Sequence, residues 1–146
     1  KNPTVFEQIK KAGHRVGNHT QEHLNGWNTS KSIYLDNVNA CASYVSSNLF
    51  RPPYGRLRPS QYQALRQSYQ IVMWDVLAGD FDPDLTGKQC FENVAKNATD
   101  GSIVVLHDSL KSQERLYGAL PLILGHYTSL GFEFCAIEEE EILVRG

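Results

Sequence analysis

Apolar residues recur along this chain in two rhythms, and the switching between them predicts the architecture. Val5, Phe6, Ile9 and Ala12 mark one face of a helix that Asn2 can cap, Pro3 can open and Gly13 can stop. Residues 14–18 read as a short strand. A second helix, capped by Thr29 or Ser30, carries the stripe Tyr34, Val38, Cys41, Ala42 and Val45. Leu49-Phe50 enters a short strand that ends at Arg51-Pro52-Pro53-Tyr54-Gly55, and Pro59-Ser60 starts a third helix through Leu65. Tyr69 to Leu77 is a nearly continuous apolar run, the pattern of a strand buried on both faces, and Gly79-Asp80-Phe81-Asp82-Pro83 breaks it. A fourth helix from about Thr86 to Ala98 turns Cys90, Phe91, Val94 and Ala98 inward, and Asp100-Gly101 is a turn. Ser102 to Leu106 is a further buried strand. A last helix covers roughly Ala119 to Leu130, which admits Pro121 only in its first turn. Gly131 ends it, and Phe132 to Ile137 makes a final strand.

Strand and helix alternate about five times with no internal repeat, which predicts an α/β domain with parallel strands and helices outside. The 146 residues suit one domain, 1–146, with a real core. The unusual polar residues all follow strands: His19 and His23, Arg51 to Tyr54, Asp80, and His107-Asp108. Strand ends share one face of a parallel sheet or barrel, so these residues are expected to converge on the histidine pair.

Composition narrows the function. Hydrophobic residues make up 41% and charged residues 21%, and the net charge is −2. No basic excess points to nucleic acid or an anionic membrane, and no run of 18 apolar residues predicts a membrane span. Glu138 to Glu141 reads as a solvated end. Cys41, Cys90 and Cys135 are too scattered for a disulfide or zinc framework, and read as buried thiols, Cys135 in a strand.

The candidate chemistry starts at His19-Thr20-Gln21-Glu22-His23. On a helical turn, histidines four apart share a face, and neutral imidazole is a favoured ligand for zinc and its neighbours. Pro52 and Pro53 lack N–H groups, so Tyr54 carries the first free donor after them, suited to a developing oxyanion. Arg51 can pair with a carboxylate; a surface arginine is the plainer reading. His107, at a strand end before Asp108, suits acid–base work, with Asp80 as acceptor for a ring nitrogen, unless Asp80 only caps its turn. Trp74 and Leu106 suit an apolar pocket or ordinary core packing.

HTQEH, RPPYG, WDVLAGDF and LHD, in this order and spacing, closely resemble the polysaccharide deacetylases of the NodB-homology type, carbohydrate esterase family 4. The resemblance covers residues 1 to about 137. It implies a distorted (β/α) barrel and hydrolysis of N- or O-acetyl groups on chitin, peptidoglycan, xylan or related glycans. It further implies one divalent metal, zinc first, with cobalt, nickel or manganese as alternatives. By position, His19 and His23 would bind that metal, Thr20 would brace their loop, and Arg51 would hold the catalytic base. The Tyr54 N–H would bind the oxyanion, Trp74 and Leu106 would receive the acetyl methyl, and His107 would be the general acid. The implied location is extracellular, periplasmic or in the cell envelope.

Two departures stand out. The family's Asp-Asp motif, which would supply the base and a third metal ligand, is absent, and the resemblance implies that the first strands of the barrel are missing. Without a general base, catalysis is expected to fall by ~10²–10⁴. A partner segment or chain that replaces those strands is one expectation. Leu77 stands where some members carry an aspartate, and Phe81 where a tryptophan is usual, which weakens the expected coupling of Asp80 to His107. The rival readings are a glycan-binding or scaffold domain that kept this fold without the chemistry, and a hydrolase of the same fold acting on other amides.

Overall fold

The computed structural model describes residues 2–139. They form two compact units, one of residues 2–73 with 136–139 and one of Trp74–Cys135.

The first unit is built around a short parallel strand pair. Strand β1 (Leu49–Phe50) pairs with β2 (Gln70–Ile71) in the register Leu49 with Gln70 and Phe50 with Ile71. The carbonyls of Asn48 and Phe50 accept from Gln70 and Val72, while the carbonyl of Leu49, facing the other edge, accepts from Asn18. A strand needs an edge to bond to, and among residues 14–18 only Asn18 has one, as a single parallel bridge to Phe50. Helix α1 (Pro3–Lys11) starts at its proline as expected, although the Asn2 side chain makes no capping bond. Its apolar face is not core: no residue of α1 is buried, and Val5 and Ile9 are exposed.

Helix α2 (Lys31–Ala42) buries Tyr34, Val38 and Cys41 at helical spacing, whereas Ala42 is exposed and Val45 lies beyond the helix end. Tyr34 and Val38 meet Phe50 and Leu65 in a core flanked by Leu24, Leu35, Leu57, Tyr69 and Ile71. Burial raises the Tyr34 phenol well above its ordinary pKa. Helix α3 (Pro59–Leu65) carries the fully buried Gln61 at its third position. The terminal acidic run is not simply solvated: Glu139 accepts from the Ser47 hydroxyl at 2.8 Å and from the Asn48 N–H at 3.3 Å. Glu140 and Glu141 lie outside the described residues.

The run from Tyr69 to Leu77 is not one strand. It yields β2 and then β3 (Val76–Leu77), which belong to different units. The ladder stops at Pro52, the next residue of the first strand that would donate to the Val72 carbonyl and one without an N–H. The Arg51 side chain donates there instead, from Nε to the Val72 carbonyl and from Nη2 to that of Met73, both at 3.1 Å.

In the second unit β3 pairs in parallel with β4 (Val104–Val105). The Asp75 carboxylate accepts the Ile103 N–H at 2.8 Å and fixes the entry to β4. Helix α4 (Gly87–Asn97) opens with Thr86 and Gln89 in a reciprocal capping box, as its T-x-x-Q sequence allows. Helix α5 (Gln113–Ser129) begins six residues earlier than the apolar pattern suggests, so Pro121 lies in its interior. The turn Ser109–Ser112 supplies the earlier start, with the Ser112 N–H donating to the Ser109 carbonyl at 3.0 Å. Burial of Ala119, Ile123 and Tyr127 against α4 offsets the one hydrogen bond the proline removes. Cys90 and Val94 complete that core. Burial also raises the Cys90 thiol, with the charge of Asp80 as the next cause.

Gly131, at φ +83°, ends α5, and the Phe132 N–H closes the turn on the Tyr127 carbonyl at 3.0 Å. The following segment, 132–137, is not a strand, so Cys135 is an exposed thiol rather than a buried one. Among the described residues, no helix is long and apolar enough to cross a membrane.

Helices α4 and α5 approach through two glycines. A Cβ on Gly87 would stand 2.7 Å from the Gly118 Cα and 2.9 Å from its carbonyl carbon. Both obstacles are backbone, so Gly87→Ala must push the helices apart. The expected loss is about 1–3 kcal/mol in urea unfolding; an unchanged midpoint would contradict the close approach.

Candidate active site

The histidine pair is not on a helix. Residues 18–24 form an irregular loop, and two of its members, Thr20 at φ 61° and His23 at φ 56°, are left-handed without being glycine. The loop is held from below by Asn18, which is fully buried. Its Nδ2 donates to the Val38 carbonyl at 2.9 Å, and its Oδ1 accepts the Thr20 N–H at 3.0 Å. The Thr20 hydroxyl accepts the Leu24 N–H at 3.1 Å, and Asn37 binds the Glu22 N–H through its side chain at 2.9 Å. Backbone strain plus these anchors, not helical spacing, bring His19 and His23 edge to face at 4.9 Å.

The RPPYG segment meets this loop directly. The Arg51 N–H donates to the Asn18 carbonyl at 3.0 Å, and the Arg51 carbonyl lies 2.6 Å from His19 Nδ1. A carbonyl only accepts, so Nδ1 carries the proton in this contact. That is the usual outer contact of a metal-ligating histidine. The Arg51 side chain is half-buried on Val72 and Met73, and burial lowers its pKa. Tyr54 is the third left-handed non-glycine residue, at φ 59°, in the turn Pro53–Gly55. Its ring meets His23 edge to face at 4.8 Å, and its N–H has no acceptor among the described residues.

In the second unit, Asp80 and His107 form a tight couple. The carboxylate of Asp80, fully buried, accepts the His107 main-chain N–H at 2.6 Å through Oδ2 and lies 2.8 Å from Nδ1 through Oδ1. The ring itself is 41% exposed, so Nε2 faces outward from an anchored base. The Leu77 and Phe81 departures therefore do not break this coupling. Phe81 instead packs edge to face on the His107 ring at 5.3 Å.

Sequence reading missed Arg115, whose Nε donates to the Asp80 carbonyl at 2.7 Å and whose Nη2 donates to the Lys111 carbonyl. Only its place in the first turn of α5 could have suggested it. Asp108 is exposed; Trp74 is half-buried; Leu106 packs against the core of Val76, Ala78 and Val94.

The first unit thus gathers His19, His23, Arg51 and Tyr54, and the second gathers Asp80 and His107. Two imidazoles suit part of a divalent cation's donor set. Among the described residues no group of three His, Cys, Asp or Glu side chains stands together.

A family model described as polysaccharide deacetylase matches residues 1–72. A peptidoglycan-N-acetylglucosamine deacetylase of Bacillus cereus is 32% identical over 95% of this chain and 68% of its own length. Among solved structures, a peptidoglycan N-acetylglucosamine deacetylase in complex with a naphthalenyl-N-oxidanyl-benzamide superposes with a TM-score of 0.81. That match, at 23% identity, covers 93% of this chain and 67% of the other. A family 4 acetyl xylan esterase from Clostridium thermocellum, in complex with a cobalt ion, matches with a TM-score of 0.79 and 25% identity, over 92% of this chain and 67% of its own. The fold is that of the family 4 deacetylases, a distorted (β/α) barrel, of which this chain spans about two thirds.

The hydrogen bonds fix ring tautomers. In 15N spectra at a pH where the imidazoles are neutral, His107 is expected to carry its proton on Nδ1. Asp80→Ala should shift that ring towards the Nε2–H form; an unchanged 15N pattern would contradict the couple.

Proposed function

The chain belongs to the polysaccharide deacetylase family, and from that premise we propose that it serves the hydrolysis of N-acetyl groups on the amino sugars of peptidoglycan, in the cell envelope. The observation that carries this reading is the couple of buried Asp80 and half-exposed His107.

His19 and His23 would hold a divalent cation, zinc or cobalt, which when bound polarises an acyl carbonyl and acidifies water. Arg51, through its carbonyl, keeps the His19 Nδ1 proton in place, so that Nε2 faces the ligand. Thr20 braces the loop that carries both rings. The Tyr54 N–H, left over by two prolines and held by the left-handed turn, donates to the oxygen that gains charge as the tetrahedral centre forms. His107, as the general acid, gives its Nε2 proton to the departing amine, while its Nδ1–H keeps its hydrogen bond to Asp80. Asp80 thereby sets the direction of the transfer rather than the transfer itself. Trp74 and Leu106 would receive the acetyl methyl. The general base is assigned to no described residue, and Arg51 makes no ion pair among them.

One observation favours the second reading, a glycan-binding domain without chemistry: no third His, Cys, Asp or Glu donor joins His19 and His23 among the described residues. The two readings separate in one assay. The intact protein is incubated with N-acetylated peptidoglycan and zinc or cobalt, and acetate is measured. Release is expected, with kcat lower by ~10²–10⁴ in His107→Ala at unchanged fold. Release that His107→Ala leaves intact would remove the proton-donor role. Glycan binding without any release would establish the second reading instead.

A further inference from the structure

The loop after the histidine pair and the loop after the double proline touch at two successive places. His23 meets Tyr54 at 4.8 Å, and further along both loops the Arg56 guanidinium lies over the Trp27 ring, 4.8 Å from its centroid. The second contact is held by far more than a surface tryptophan requires. Arg58 donates from Nε at 3.1 Å and from Nη2 at 2.5 Å to the Trp27 carbonyl. The Asn25 side chain accepts the Trp27 N–H at 3.0 Å. Gln61, fully buried, donates to the carbonyls of Gly26 at 3.0 Å and Thr29 at 3.1 Å and accepts the Arg58 N–H at 2.8 Å. The two loops are so close that a Cβ on Gly26 would stand 2.2 Å from the Arg56 carbonyl oxygen.

All this fixes the backbone at Trp27, a residue that is 56% exposed and belongs to neither core. A tryptophan that fills a core is covered, whereas an open indole on a fixed backbone has a flat apolar face available for stacking, and tryptophan is enriched at binding surfaces. Arg56 stacks on the indole and has no carboxylate partner among the described residues, while the Arg58 guanidinium is engaged on the Trp27 carbonyl. Guanidinium N–H groups lie in the plane of the group, so stacking on Trp27 leaves them pointing sideways as donors for a carboxylate.

We propose that Trp27 and Arg56 form a second glycan site, for a sugar of the same strand next to the one that loses its acetyl group. Trp27 stacks on the sugar ring, and Arg56 binds an acidic substituent on it, so the preferred ligand is a polymer of amino sugars that carry carboxylates. This rests on the function proposed above, and its continuity with the His23–Tyr54 contact ties it to the histidine loop.

Binding is measured by calorimetry on the intact protein in a His107→Ala background, where turnover does not interfere. The probes are a neutral N-acetylglucosamine oligomer and a solubilised peptidoglycan strand of similar length. Trp27→Ala is expected to weaken both about tenfold, and Trp27→Phe to recover most of the loss. Arg56→Gln is expected to weaken only the acidic strand. Thermal melts check that each variant folds. Equal affinity of Trp27→Ala and the parent for both probes would overturn the site; an equal effect of Arg56→Gln on both would overturn the preference for acid. Acetate release by the protein with wild-type His107 is scored separately, so absent catalysis with intact binding would sink the deacetylase reading and leave this site standing.

Discussion

One buried amide holds the first unit's chemistry in place. Asn18 bridges Phe50 through its backbone, receives the Arg51 N–H on its carbonyl, and ties α2 to the histidine loop through its side chain. It occupies the point where the expected strand 14–18 ends and a loop takes over, and every polar atom of its amide has a partner within the unit. A buried amide is costly when half-satisfied and directional when complete, so its position determines the path of residues 19–24. His19 inherits its orientation from the same junction, because the Arg51 carbonyl that fixes its tautomer belongs to the residue whose N–H Asn18 receives.

The second constraint is strain. Thr20, His23 and Tyr54 are the non-glycine residues with positive φ among those described, and all three lie in the two loops that Asn18 and Arg51 join. Such conformations cost about 1–3 kcal/mol each and persist where surrounding bonds over-determine them. Here the anchors are visible: the Thr20 hydroxyl on Leu24, Asn37 on Glu22, and two prolines before Tyr54. The second unit reaches its chemistry without strain of this kind. A buried carboxylate receives two donors of His107, and Arg115 secures the carbonyl of the same aspartate.

The sequence made the helices legible where period and end signals agreed. T-x-x-Q before Gly87 and the spacing of Tyr34, Val38 and Cys41 both describe what is observed. It failed where a side chain, not periodicity, decides. Nothing in the apolar run 69–77 reveals that Pro52, some twenty residues earlier, offers its neighbour no N–H, or that Arg51 takes the carbonyls of Val72 and Met73 instead. Histidines four apart suggested a helix, yet the same closeness arises from left-handed turns that spacing cannot express. Residues 132–137 look like a strand, but a strand is a statement about a neighbour, and no neighbour is written in the segment itself. The motif residues were recognisable by type and order; their mounting on Asn18, Gln61 and Arg115 was not, because buried amides and internal arginines leave no periodic trace.

The metal chemistry proposed for the first unit reduces to two imidazoles that a strained, amide-anchored loop aims at one cation. Calorimetric titration of the intact protein with zinc addresses this with no reference to catalysis or substrate. The wild type should bind one equivalent, and His19→Ala and His23→Ala should each lose that binding while keeping the same thermal unfolding profile. Titration curves that superimpose for the three proteins would show that the pair holds no metal, and the reading built on it would fall.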